Sequence, residues 1–333
     1  MRRALLLLGV LVVFFGGGVD AGRPRERVRV GFVTDLVALN SRPVPRQIVA
    51  AMRRAERRLG VGGRVLARNP NEDYSRGITS LARQRFDLVI GFSFKAADAV
   101  DSVALAFPQT RFLIVDYPRA TLQHKPANVL GLVFREQEAG YLVGYLAGLE
   151  VRRRPGRQVV SSIGAYPNPP ISRFIAGFQA GARKADPRVT LLNAFSLDYV
   201  DRAKCRSLAL SQIARGSGAV FAVSGDCGLG ALAAAKAHGM WAIGSEVDES
   251  ALGAFVLTSA VKHTDAAVFS VIRSLLAGRF NGGDLSLGLR ERGVGLGKIS
   301  RRVPASLVRR VDAVRAAILA GRIRNIPTYP LVP

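Results

Sequence analysis

The chain has 333 residues, 49% of them hydrophobic and with few low-complexity tracts, which suffices for two folded domains with separate cores and excludes a disordered polypeptide. Its formal net charge of +24 would ordinarily point to nucleic acid or an anionic membrane surface. Only seven of the 48 cations are lysines, however, and the arginines are scattered with no helix-turn-helix, zinc-ligand or RNA-binding signature beside them. The charge therefore reads as an arginine bias, and nucleic acid is not an expected partner.

At the N-terminus Arg2 and Arg3 precede an apolar run from Ala4 to Phe15, then glycines, then Val19-Asp20-Ala21. These are the charged, apolar and small-residue regions of a secretory signal, expected to span residues 1–21 with cleavage after Ala21. The mature chain is then extracytoplasmic: secreted, periplasmic or associated with the cell surface. An uncleaved anchor is the alternative, but the run falls well short of the ~20 residues that cross a bilayer. No cysteine near the cleavage site offers a lipid-attachment thiol, and no later segment is apolar for long enough to span a membrane.

The first strand is expected in Arg27 to Thr34, which alternates and then runs apolar, as a strand buried on both faces does. Asp35 follows it, and Pro43 and Pro45 then suggest a proline-stiffened loop before a helix that begins near Arg46. Further short apolar runs recur near Val65, at Asp87 to Gly91, Arg111 to Asp116, Asn128 to Phe134, near Val160 and Leu191, and at Gly218 to Gly225 and Met240 to Ser245. Helical spacing is clearest from Glu136 to Glu150, where Ala139, Leu142, Val143, Leu146 and Leu149 share one face. After Ser245 come a strand, an amphipathic helix ended by Gly278, a glycine-rich segment and a last helix around Val311 to Ala320.

Strand and helix alternating in this way predict an α/β protein with doubly wound parallel sheets, and the number of strands predicts two lobes. The polar loop from Tyr117 to Asn128 carries two prolines and is the expected first crossing. The lobes are then expected in residues 27–120 with 250–285, and in residues 128–246 with 290–326. Cys205 and Cys227 are the only cysteines; each lies in or beside an expected helix, and nothing in the sequence brings them together. Two buried free thiols are expected, with a disulfide, which an exported chain allows, as the alternative.

In open parallel sheets ligands bind beyond the carboxyl ends of the strands. The polar residues at those ends are Asp35, Asp116, Ser224-Gly225-Asp226 and Ser245-Glu246, with Lys262 just after a later strand. A single acid there is commonly a helix N-cap; four polar ends in both lobes suggest a shared cleft. The stretch from Ser224 to Lys236 places three glycines where a helix begins, but as Gly-x-x-Gly-x-Gly, not the dinucleotide fingerprint, and close helix packing explains it equally well. No nucleophile elbow, phosphate loop or paired metal-ligand histidines occur, and the three histidines, His124, His238 and His263, stand singly. No catalytic residue, cofactor or metal is expected.

The segments DLVIGFSFKAADAV, NVLGLVFREQEAGYLVGYLAG, PPISRFIAGFQAGAR, WAIGSEVDES, VLTSAVKHTDAAVFSVIRSLLAGRFNGG and LGLRERGVGL resemble the basic membrane protein family, purine-nucleoside-receptor-like substrate-binding proteins of ABC transporters. The resemblance covers Val28 to Ile326, closing on AAILAGRIRNIP. It implies a type I periplasmic-binding-protein fold, with two lobes, three crossings and a ligand clamped between them, as well as delivery of that ligand to a permease without chemistry. By position it implies ligand-binding roles for Asp35, Asp116, Phe221, Gly225, Glu246 and Lys262: Phe221 to stack on a base, Gly225 beside it, Glu246 to accept from ribose hydroxyls, and Lys262 to donate to ligand or carboxylate.

Relatives carry an aromatic and an amide shortly after the first acid, where this chain has Pro43, Val44, Pro45 and Arg46. Stacking one base on an aromatic contributes roughly 1–3 kcal/mol, so that change removes a nucleoside's anchor. The expected partners are accordingly a small polar, nucleoside-like ligand, a nucleoside or a sugar-like relative, and an ABC permease, with the chain monomeric. A ligand-sensing accessory protein without a permease is the alternative, and a nucleoside-processing enzyme ranks behind both.

Overall fold

The computed structural model describes residues 27–332 except 70, 71, 155 and 157, so the expected signal segment 1–21 lies outside the described residues. The short apolar runs become strands because β-branched and aromatic side chains fill them and helices cover both faces of the sheets they form. One sheet takes β1 (Arg29–Asp35), β2 (Gly62–Arg68), β3 (Leu88–Phe92), β4 (Arg111–Val115), β5 (Val129–Phe134) and β11 (Gly283–Leu287). The other takes β6 (Val159–Gly164), β7 (Thr190–Phe195), β8 (Ser217–Val223), β9 (Trp241–Glu246), β10 (Val256–Lys262) and β12 (Val294–Leu296). The strand orders are 11-5-4-3-1-2 and 12-10-9-8-6-7, parallel throughout except that β12 runs antiparallel to β10. In each sheet the order reverses beside the first strand of the lobe, between β1 and β3 and between β6 and β8, and the loops diverge there to leave a crevice.

Strand membership corrects the expected division of the chain. β5 pairs with β4 in the first sheet although the sequence reading placed it in the second lobe, and β10 pairs with β9 in the second sheet although it was expected in the first. The polar loop from Tyr117 to Asn128 therefore returns to its own sheet through a short 3-10 turn at Arg119–Thr121, and Asp284 of the edge-strand region accepts from the Ala120 N–H at 3.0 Å. The crossings instead follow β5, β10 and β11. They run side by side: Arg135 N–H donates to Leu287 O at 2.9 Å, and His263 N–H to Gly293 O at 2.8 Å. The glycine-rich segment supplies one edge strand to each sheet, β11 and β12, which their brevity hides from periodicity.

Ten α-helices pack on these sheets among the described residues: α1 (Leu36–Ser41), α2 (Pro43–Leu59), α3 (Tyr74–Arg83), α4 (Ala97–Ala106), α5 (Glu136–Arg152), α6 (Pro169–Ala185), α7 (Arg202–Ala214), α8 (Asp226–Ala237), α9 (Thr264–Leu276) and α10 (Ala305–Leu319). The expected proline-stiffened loop is helical. α1 and α2 meet at Arg42, which is extended at φ −121° and ψ 134°, and Pro43 opens α2 where a missing N–H costs nothing. Pro45 follows within the same first turn, before any intrahelical N–H is needed. The expected helix from Glu136 forms as α5 and is buried almost all round, because it packs between sheet and α6 so closely that a Cβ on Gly144 would lie 2.0 Å from Phe178 O.

Cys205 and Cys227 form a disulfide across α7 and α8, with Cα atoms 5.4 Å apart, so the expectation of free thiols is corrected. The two helices lie against each other on one face of the second sheet, a tertiary contact that no local pattern shows.

Candidate functional site

Asp35 ends β1 and is 2% exposed. Its carboxylate caps α1 by accepting from Ala38 N–H at 2.6 Å, accepts from the Tyr74 hydroxyl at 2.9 Å and lies 3.4 Å from Lys95 Nζ. Burial pushes this carboxyl up, but the Ala38 N–H, the Tyr74 hydroxyl and Lys95 outweigh it and hold Asp35 ionised below the ordinary aspartate range.

A second cluster joins the lobes. Asp116, immediately after β4 and at φ 62°, accepts two bonds from Lys262 Nζ, at 2.8 and 3.0 Å. Lys262 ends β10 in the other sheet and is fully buried. Its ammonium also lies 3.5 Å from Glu136 and 3.7 Å from Glu246, the last residue of β9. Burial alone would push Lys262 down, but Asp116, Glu136 and Glu246 outweigh it and raise the amine above its ordinary range, so it stays charged. Burial pushes the Glu136 carboxyl up to about 7, with Lys262 and Arg173 opposing and the charge of Asp116 assisting. One buried cation thus holds three acids from both sheets.

The cleft has two chambers. The outer one, of about 530 Å³, opens between the carboxyl ends of the two sheets and is lined by Asp35, Arg42, Lys95, Tyr166, Asn168 and Tyr199 among others. It sits at the order reversal of the first sheet, between the loops after β1 and β3, and faces the loops after β6 and β7 of the second; its volume is that of a small-molecule site. The inner one, of about 20 Å³, is lined by Arg42, Asp116, Asn168, Tyr199, Gly225 and Glu246 and has room for about one water. Arg42 lies between the chambers. Its guanidinium carbon is 4.5 Å from the centroid of Phe92 in the first lobe and 4.2 Å from that of Tyr199 in the second. Each contact of this kind contributes about 0.5–2 kcal/mol.

The same segment supplies other bridges. Gln47 Nε2 donates to Glu246 O at 3.1 Å, while Gln47 Oε1 accepts from Thr264 N–H at 2.9 Å. Gly225 lets the segment approach: at φ 60°, a Cβ there would lie 2.8 Å from Ser41 O. Gly225 precedes α8, but Gly230 one turn on is a packing contact, since its Cβ would lie 1.9 Å from Arg202 O. That favours the packing explanation for this glycine-rich stretch over anion binding.

Five of the six residues singled out in the sequence meet in the cleft: Asp35 in the outer chamber, Asp116, Gly225 and Glu246 around the inner one, and Lys262 beneath it. Phe221 does not. It is fully buried in the core, with its ring centroid 5.0 Å from Phe178 and 6.3 Å from Phe174, so the expected stacking role is corrected. β8 alternates its side chains across the sheet, and Phe221 falls on the face that packs on α6. Val44 is also fully buried, and Arg46 lies largely in solvent with a nitrogen 4.0 Å from Asp226. The residues the sequence reading missed are Arg42, Gln47, Asn168 and Tyr199. For the first two, the N-terminal end of a helix that opens with proline was the available signal; for Tyr199 there was none.

Among the described residues no group of three or more acids, histidines and cysteines is placed to hold a metal, and no helix is long and apolar enough to cross a membrane.

A family model described as Bmp, ABC transporter substrate-binding protein PnrA-like, matches residues 30–324. A CD4+ T-cell-stimulating antigen of Listeria monocytogenes is 28% identical over 276 residues, which are 78% of this chain and 75% of that protein. The ABC transporter nucleoside-binding protein BmpA of Lactococcus lactis is 26% identical over 302 residues, 83% of each chain. Among solved structures, a solute-binding protein of an ABC transporter system from Aeropyrum pernix superposes with a TM-score of 0.77 at 21% identity, covering 90% of this chain and 94% of its own, and shares the fold.

Proposed function

Because the chain belongs to the Bmp family of PnrA-like ABC transporter substrate-binding proteins, we propose that it captures a small polar solute of nucleoside size in the inter-lobe cleft and presents it to a permease. The observation that carries this reading is the outer chamber of about 530 Å³, which opens at the carboxyl ends of two parallel sheets, at the order reversal of the first, and is walled by polar residues of both lobes. A solute there touches both lobes at once, and the three adjacent crossings are the hinge about which they open and close.

Asp35 and Lys95 form one wall, Tyr166, Asn168 and Tyr199 the other, and the Asp116–Lys262 pair the floor that holds the lobes in register. The working site is extracytoplasmic, the chain acts as a monomer, and the solute leaves unchanged. Nucleoside-like chemistry is supported by the printed name of the Lactococcus lactis relative and by the ring-bearing walls.

A thermal-shift screen of nucleosides, bases and sugars tests this. A solute at 100 times its Kd adds about 2.7 kcal/mol of stability and gives a saturable rise in Tm. Silence from every nucleoside removes the nucleoside version, and release of free base during incubation contradicts binding without chemistry.

A further inference from the structure

The outer chamber has unequal supplies of donors and acceptors. Asp35 is committed, accepting from Ala38 N–H, the Tyr74 hydroxyl and Lys95, whereas Asp198 spends only Oδ1, which accepts from the N–H groups of its own loop, Val200 at 2.7 Å and Asp201 at 3.1 Å. Asn168 is committed as well, donating to the Tyr199 hydroxyl at 3.1 Å and accepting from Ile171 N–H at 3.4 Å. The spare cationic groups are Arg42 and Lys95. Among the described residues the Arg42 side chain makes no hydrogen bond and has no acid within 4.0 Å, and Lys95 spends its ammonium on a single contact of 3.4 Å. Around these donors stand flat apolar surfaces, with Phe94 62% and Tyr166 40% exposed.

We propose that the outer chamber takes a planar solute bearing an acid group, carboxylate or phosphate, and that Arg42 is the residue that sets this preference. This deepens the reading of the cleft as a solute site and rests on it. Guanidinium donors match the two oxygens of a carboxylate or phosphate in a fork, and Lys95 adds a point charge from the same wall. The planar body of the solute lies against Phe94, Tyr166 and Tyr199. Arg42 has a second effect. Flanked by Phe92 and Tyr199, its guanidinium fills the gap between rings of the two lobes and leaves an inner chamber of only about 20 Å³, so a neutral planar solute finds that gap occupied. Arg42 thus favours the acid in one chamber and excludes the neutral ring from the other.

Calorimetric titration with uridine, uridine 5′-monophosphate and orotate, on the wild-type chain, Arg42→Ala and Arg42→Lys, tests the proposal. At least one acid should bind the wild type at least ~10-fold tighter than uridine, the factor expected for a hydrogen bond to a charged group. Orotate and the monophosphate separate carboxylate from phosphate. Arg42→Ala should abolish that preference and improve uridine binding, while Arg42→Lys should keep part of it, with circular dichroism showing both variants folded. Wild-type binding of uridine or other neutral solutes alone, or an acid preference unchanged in Arg42→Ala, overturns the proposal and leaves the solute site standing. Failure of every probe with all three proteins, together with silence in the wider solute screen, overturns both.

Discussion

Replacing Lys262 with Met is the sharpest perturbation of the floor of the cleft. The side chain is fully buried, and its ammonium is the nearest cation to Asp116, at 2.8 Å, with Glu136 at 3.5 Å and Glu246 at 3.7 Å. Methionine fills a similar volume, so the main loss is charge, and three acids are left with Arg173 as the remaining cation on Glu136, at 3.1 Å. Removing one partner of a buried ion pair costs about 3–5 kcal/mol. At about 2–4 °C per kcal/mol for chains of 150–250 residues, this lowers Tm by about 6–20 °C, toward the smaller end for a chain of this size.

The pH dependence follows from Glu136, whose carboxyl sits at about 7 in the folded chain against 4.5 as its ordinary value. The folded state keeps a proton that the unfolded chain releases between those two values, so the burden of ionising Glu136 grows over that window and is complete above it. Without Lys262 the folded value rises further and the burden with it. The Tm deficit should therefore be greater at pH 8 than at pH 5, as measured by differential scanning calorimetry. An unchanged Tm, or a deficit greater at pH 5, would show that Lys262 does not carry the charge of these three acids.

Phe221→Leu should cost about 1–2 kcal/mol by leaving a gap beside Phe174 and Phe178, and should leave the order of solute affinities unchanged; an altered base preference at wild-type stability would restore the stacking role. The double variant Cys205→Ala with Cys227→Ala opens a bridge between residues 22 apart and should lose about 3 kcal/mol. Reductant should lower the Tm of the wild type and not of that variant, and thiol labelling of the denatured, unreduced wild type should find no free thiol.

The architecture was largely legible in the sequence because buried parallel strands announce themselves as short apolar runs, and the acids at their ends mark where the cleft must lie. Lobe membership was not, because β5 and β10 look alike in sequence whichever sheet they join, and only the pairing partner decides. The edge strands β11 and β12 lacked the apolar signature, the first being half polar and the second three residues long. Phe221 was misplaced because it lies within β8, where both faces of the sheet are buried, and only residues beyond the strand's carboxyl end, such as Gly225, reach the cleft. Arg42 was hidden by its neighbours: Pro43 and Pro45 suggested a loop, whereas proline in a first helical turn fixes the junction that carries Arg42 across the cleft. Cys205 and Cys227 meet only once α7 and α8 are docked.

One small solute occupies the outer chamber in the proposed function. Native mass spectrometry of the intact chain, titrated with nucleosides, nucleotides, sugars and planar acids, tests it against Val37→Trp, which places a large ring in the chamber from a residue 42% exposed and so tolerant of substitution. The expected result is a saturable one-to-one complex with at least one of these solutes, lost in Val37→Trp while the variant remains folded. Absence of any complex, or a complex of equal occupancy in Val37→Trp, would contradict it.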